Sequence, residues 1–105
     1  MCGIIGCINY NTPLNKAKML ADLVHRGPND SGYYDIGNSS FIGHARLSII
    51  DTTYHGHQPM ISRCENYILV YNGEIYNHND LREELISKGY SFESNSDSEV
   101  LLNLF

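Results

Sequence analysis

The sequence predicts a mixed α and β protein with antiparallel strands, and three patterns carry this prediction. Residues 67–71 are rich in β-branched and aromatic side chains, as strands are, and Asn72-Gly73 follows them directly. Asn-Gly between two extended runs is a strong hairpin signal, so we expect 74–76 to form the return strand. Apolar residues recur at helical spacing over 14–24, which predicts an amphipathic helix.

The other strands are predicted from the first half of the chain. Small and apolar residues at 3–8 indicate a buried strand, and 33–34 is a short strand candidate. Alternation over 41–50 indicates a strand with one buried face. Between the first two strands, Thr12-Pro13 predicts an N-cap followed by proline in the first helical position.

Two further helices are expected in the second half. Asn79 or Asp80 should cap one that runs through Lys88, with Gly89 at its C-terminal end. Ser96 with Glu99 three positions later is a capping box, so a last helix should begin there. That helix stops on apolar residues without a capping glycine. We therefore expect residues 1–105 to be the front part of a single domain that a longer polypeptide continues.

Composition narrows the function classes. The formal net charge of −5 and a pI near 5.4 argue against nucleic acid or an anionic membrane as a binding partner, because both favour basic protein surfaces. No apolar stretch approaches the roughly 20 residues of a membrane span, and the N-terminus lacks the basic start of a signal peptide. We expect a cytoplasmic protein. The three cysteines are an odd number without a Cys-x-x-Cys motif, which favours free thiols.

Cys2 is the first candidate for chemistry. Initiator methionine is normally removed before a small residue, and removal of Met1 would leave a thiol and a free α-amine on one residue. A thiol needs a base near neutral pH, and an α-amine with a pKa of about 7.7–8.0 can serve as that base. By position alone, a cysteine at the start of a strand is more often a simple packing residue.

Polar groups at strand ends supply the other candidates. The Gly73 N–H and the Asn72 amide can donate to one oxyanion, although a plain type I′ turn is the more common explanation of such a pair taken alone. Arg46 can fork onto a carboxylate or form an ordinary salt bridge. Glu74 and Asp97 can accept from an ammonium group. The alternatives are a solvent-facing strand residue for Glu74 and a favourable helix-dipole interaction for Asp97.

Histidine and cysteine spacing does not predict a metal site. His44, His55, His57 and Cys64 include a His-x-His, but the spacing fits none of the standard zinc patterns. We expect no metal in this segment.

Six blocks span nearly the whole chain: Met1-Cys2-Gly3-Ile4, His25-Arg26-Gly27-Pro28, Arg46-Leu47-Ser48-Ile49-Ile50-Asp51, Gln58-Pro59-Met60, Tyr71-Asn72-Gly73-Glu74-Ile75-Tyr76-Asn77 and Ser96-Asp97-Ser98-Glu99. In this order they resemble the glutaminase domain of the glutamine-hydrolysing asparagine synthetases, which are class II amidotransferases with an N-terminal nucleophile. The resemblance implies the N-terminal-nucleophile (Ntn) hydrolase fold, an αββα sandwich of two antiparallel sheets, of which only the N-terminal part is present here.

The resemblance also implies a role for each matching residue. Cys2 would be the nucleophile, and Arg46 would hold the α-carboxylate of glutamine. Asn72 and Gly73 would form the oxyanion hole. Glu74 and Asp97 would hold the α-ammonium group.

The implied partners are glutamine and a C-terminal synthetase domain of the same parent chain. That domain would use ATP and magnesium to convert aspartate to asparagine with the released ammonia, and no cofactor is expected in residues 1–105. We include a homodimer among the expected assemblies. Two other functions stay open: amidation of another acceptor, such as a surface-polysaccharide sugar, and a non-catalytic binding module on the same fold.

Overall fold

The computed structural model describes residues 2–48 and 52–105. Met1 and the end of the Arg46–Asp51 block, 49–51, lie outside the described residues. The described chain is a mixed α and β structure with two antiparallel sheets, as the sequence predicts. No helix in the described part of the chain is long and apolar enough to span a membrane.

The first sheet has three strands: β1 (Gly3–Cys7), β2 (Asp30–Asp35) and β3 (Phe41–Arg46). Their order is β1-β3-β2, so β3 is the central strand and pairs antiparallel with both neighbours. The prediction of one buried face for β3 was wrong, because both faces are covered: five of its six residues are buried and Ile42 is half-buried. Alternation along β3 places His44 and Arg46 on the same face.

The first helix, α1 (Lys16–Ala21), is shorter than predicted and begins later. Thr12-Pro13 is not its cap. Asn15 is, because its side chain accepts from the Lys18 N–H at 3.0 Å, and asparagine caps at least as well as threonine. The buried Leu20 packs onto Gly43 of β3, which leaves room for it.

The second sheet is a small pair, β4 (Met60–Ile61) and β5 (Ile68–Leu69). The expected hairpin at Asn72-Gly73 is wrong: β5 pairs with the strand before it, and 74–76 is not a strand. The two central residues of a type I′ turn need positive φ, and neither Asn72 nor Gly73 is among the described residues with positive φ.

The last two helices are α2 (His78–Ser87) and α3 (Asp97–Leu104). The predicted cap at Asn79 or Asp80 was wrong, because both residues lie inside α2 and Asn77 is the residue that precedes the helix. α2 ends in a Schellman motif at Gly89, whose φ is +96°. The Gly89 N–H donates to the Ile86 carbonyl and the next N–H to Leu85, at 3.0 Å each. The predicted C-terminal glycine is therefore confirmed.

The predicted capping box at the start of α3 is half formed. The Ser96 hydroxyl accepts from the Glu99 N–H at 3.3 Å, as expected. The Glu99 carboxylate does not return to the Ser96 N–H. It accepts from the N–H groups of Glu93 and Ser94 at 2.8 and 2.7 Å, and so ties the preceding loop to the helix.

Candidate active site

One cavity of about 310 Å³ is lined by all six of the predicted site residues. The start of β1, the end of β3, the segment after β5 and the first turn of α3 meet around it. The predicted site residues in its lining are Cys2, Arg46, Asn72, Gly73, Glu74 and Asp97. Residues from four distant parts of the chain therefore share one concave surface, which is how ligand sites are normally built.

Cys2 is half-buried, and its sulfur contacts the backbone just beyond β3. The Leu47 N–H donates to Sγ at 3.3 Å, and Sγ lies 3.7 Å from the Leu47 carbonyl oxygen. Arg26, from the His-Arg-Gly-Pro block, donates from Nε to the Cys2 carbonyl at 3.2 Å.

Arg46 is the last residue of β3, and its side chain is 7% exposed. Nη1 donates to the Thr53 carbonyl at 2.6 Å. Gly56 lies against the guanidinium, since a Cβ built on it would fall 2.1 Å from Nη2. The cation is thus held in place at the cavity wall by the loop that follows β3.

Asn72 and Gly73 lie in an irregular segment between β5 and α2. Within residues 2–48 and 52–105, neither the Asn72 amide nor the Gly73 N–H has a hydrogen-bond acceptor in the chain. Their neighbour Tyr71 is fixed at both backbone polar atoms, as described below. Two donors in the lining of a cavity that a thiol also lines suit an oxyanion.

Two carboxylates line the same cavity. Asp97 is 6% exposed, and its Oδ2 accepts from the Ile75 N–H at 2.9 Å, while Glu74 is exposed. Burial and then the charges of Asp97 and Glu74 raise the pKa of the Tyr71 phenol above its usual value, so the phenol stays neutral beside them. The cavity thus offers one cation and two anions to a ligand.

Comparison with known proteins identifies the family. The model of the glutamine amidotransferase domain matches residues 1–105. The chain belongs to the glutamine amidotransferase domain family.

Two curated relatives of this amidotransferase domain are glutamine-hydrolysing asparagine synthetases. Asparagine synthetase [glutamine-hydrolyzing] 1 of Bacillus subtilis (strain 168) is 44% identical over 97% of this chain, which is 17% of that protein's length. Asparagine synthetase B [glutamine-hydrolyzing] of Escherichia coli (strain K12) is 41% identical over 100% of this chain and 19% of its own length. The chain spans about a fifth of the length of these curated relatives.

Several residues that line the cavity were not singled out from the sequence as site residues. Gln58 and Ser98 line the cavity and are 5% and 4% exposed, and Tyr71 and Gly56 line it as well. The available signal was weak: Gln58 is a polar residue followed by proline, and Ser98 sits inside the capping box. Neither pattern indicates burial, because glutamine and serine are mostly surface residues.

His44 contacts Tyr71, which lines the cavity, from the protein interior. It is fully buried, and its Nε2 lies 3.0 Å from the Tyr71 carbonyl, an oxygen that can only accept. Nε2 therefore carries the proton, and the buried Nδ1 has no partner among the described residues. Burial first, and then Arg46, lowers the pKa of His44, which keeps the ring neutral.

The other residues of the His-x-His pattern lie elsewhere. His57 pairs with Asp30 at 2.5 Å and stacks on Tyr54, while His55 and Cys64 are exposed. In the part of the chain that the structure describes, no three His, Cys, Asp or Glu side chains group closely enough to hold a metal ion.

Proposed function

We propose that this domain hydrolyses glutamine to glutamate and ammonia, with Cys2 as nucleophile. One observation carries the proposal: a thiol shares a cavity with a buried guanidinium, two carboxylates and two N–H donors that have no acceptor among the described residues. Glutamine is a zwitterion with an amide at the far end. Arg46 would hold its α-carboxylate, and Glu74 and Asp97 its α-ammonium, which leaves the amide for the thiol.

The reaction needs the Cys2 α-amine, and so the removal of Met1. The amine takes the thiol proton, sulfur bonds to the amide carbon, and negative charge collects on the amide oxygen. The Asn72 amide and the Gly73 N–H stabilise that oxygen. The carbon–nitrogen bond then breaks, and the protonated amine gives its proton to the departing ammonia. Water attacks the thioester, which releases glutamate and restores the thiol.

The relatives' names suggest where the ammonia goes. We propose that it feeds the ATP- and magnesium-dependent amidation of aspartate to asparagine, in a C-terminal synthetase domain of the same polypeptide. The relatives at 44% and 41% identity are both called glutamine-hydrolysing asparagine synthetases, and both are much longer than this chain. We also propose a cytoplasmic location. We propose a homodimer as well, which gel filtration of the native protein would test.

Ammonia release from glutamine tests the proposal. The native protein should release ammonia and glutamate in equal amounts, and Cys2→Ala should abolish the release. Cys7→Ala is the matched control, because Cys7 lies at the other end of β1, outside the cavity, and should stay active. Glutamine binding without ammonia release would instead support a non-catalytic module. Amide transfer to a sugar but not to aspartate would support the other acceptor class.

A further inference from the structure

The segment that carries Asn72 and Gly73 is held by side chains instead of a sheet. β5 ends at Leu69, two residues before Tyr71. The Tyr71 N–H donates to Gln58 Oε1 at 2.6 Å, and the Tyr71 carbonyl accepts from His44 Nε2 at 3.0 Å. These two side chains replace the partners that a neighbouring strand would supply. The position of the Asn72 and Gly73 donors therefore depends on the contacts that hold Gln58 and His44.

Gln58 has one orientation of its amide. A backbone N–H only donates, so the atom 2.6 Å from Tyr71 N must be the carbonyl Oε1. The amide nitrogen then faces Ser98 and donates to its hydroxyl at 3.0 Å. Because Gln58 and Ser98 are 5% and 4% exposed, water does not compete for these bonds, and breaking one leaves a buried polar group unpaired.

These bonds close a ring between two parts of the cavity. Ser98 follows Asp97 in the first turn of α3, and Asp97 accepts from the Ile75 N–H at 2.9 Å. The path runs from Tyr71 through Gln58 to Ser98 and Asp97, and returns through Ile75 to the same segment. The oxyanion donors lie on one side of the ring, and a carboxylate suited to an ammonium group lies on the other.

We propose that Gln58 is a positioning residue that couples the ammonium site at Asp97 to the oxyanion donors at Asn72 and Gly73. The inference rests on the proposed glutaminase function. An ammonium bound at Asp97 fixes the first turn of α3, and the Ser98–Gln58–Tyr71 bridge sets the adjoining donors in their place. Gln58 acts through Tyr71 and does not touch the reacting atoms.

Removing the α-amino group from the substrate tests the coupling. Steady-state kinetics would compare glutamine with glutaramate, which keeps the carboxylate and the amide but lacks the ammonium. In the native protein, the ammonium should raise kcat as well as lower KM. In Gln58→Met, kcat for glutamine should fall about 10- to 100-fold, as expected for misplaced oxyanion donors. The kcat for glutaramate should also fall, because the bridge positions the donors in the free chain, but by a clearly smaller factor, since no ammonium acts on Asp97.

Ser98 supplies a matched pair of variants. Ser98→Ala removes the acceptor of the Gln58 amide and should reproduce the selective loss with glutamine. Ser98→Thr keeps the hydroxyl and should keep the native ratio of the two kcat values. In a cycle with Gln58→Met, Ser98→Ala should add almost nothing further, because the two residues form one bridge. Thermal melting of each variant reports folding, and if Gln58→Met does not fold, the Ser98 pair decides the matter.

The results separate the two proposals. An equal loss of kcat for both substrates, or no loss, overturns the coupling, since a merely structural role would affect both alike. A selective loss of kcat with glutamine in Gln58→Met and in Ser98→Ala, but not in Ser98→Thr, supports the coupling. A native protein with a free Cys2 amine that releases no ammonia from glutamine overturns the proposed function, and the coupling with it.

Discussion

Gly56 offers a test of the carboxylate site that leaves Arg46 itself intact. A Cβ at position 56 would fall 2.1 Å from Arg46 Nη2 and 2.8 Å from Cζ. Ordinary contact begins near 3.4 Å, so the guanidinium must move by more than about 1 Å. It cannot swing freely, because Nη1 donates to the Thr53 carbonyl at 2.6 Å. Gly56→Ala should therefore displace the charged group from the wall of the cavity.

The displacement should appear as weaker glutamine binding. A hydrogen bond to a charged group contributes about 1.5–3 kcal/mol, and 1.4 kcal/mol corresponds to a tenfold change in affinity. The KM for glutamine should thus rise about 10- to 100-fold in Gly56→Ala. The change in kcat should be smaller, because the reacting amide lies at the other end of the substrate.

Steady-state ammonia release over a range of glutamine concentrations gives both constants. Gly6→Ala is the matched control, since a Cβ there meets its nearest atoms at 3.4 and 3.6 Å, which is ordinary contact. Arg46→Ala should raise KM as Gly56→Ala does, and the double variant should add little, because both act on one group. An unchanged KM in Gly56→Ala and in Arg46→Ala would remove Arg46 from the substrate site.

Two further predictions concern stability. Because burial lowers the pKa of His44 from 6.5 in the folded state, the unfolded chain binds more protons below pH 6.5, and the free energy of unfolding should fall there by up to about 1.4 kcal/mol per pH unit. Urea melts at pH 7.5, 6.5 and 5.5 should show this slope, and His44→Gln should reduce it; equal slopes would contradict the account. A Cβ on Gly27 would lie 2.1 Å from the Ala45 carbonyl oxygen of the central strand, so Gly27→Ala should destabilise the fold by about 1–3 kcal/mol. Thermal melts that match those of Gly6→Ala would refute the claim.

The sequence predicts elements best where the signal is local. The Gly89 cap was predicted because a helix end needs positive φ, and the Ser96 cap because the hydroxyl reaches an N–H three residues on. The hairpin at Asn72-Gly73 failed because the outcome is decided at a distance. Gln58 and His44 form hydrogen bonds with the N–H and the carbonyl of Tyr71, and nothing in the sequence of 67–76 indicates these two partners.

The candidate site shows the same difference between features with a local sequence signal and features set by long-range contacts. Six of its lining residues could be named from the blocks of sequence that resemble known glutaminases, and the structure brings them to one cavity. The residues that hold them in place could not. Gly56 matters only because Arg46 reaches it, and Ser98 only because Gln58 does. Such contacts depend on tertiary packing, which neither periodicity nor composition encodes.

The most direct measurement locates a covalent adduct on the processed chain. The native protein would be treated with a diazoketone analogue of glutamine, digested, and sequenced by mass spectrometry. We predict that the N-terminal peptide begins at Cys2, without Met1, and carries the adduct on that sulfur, with excess glutamine protecting it. An adduct on Cys7 or Cys64, or an active protein that retains Met1, would contradict the account.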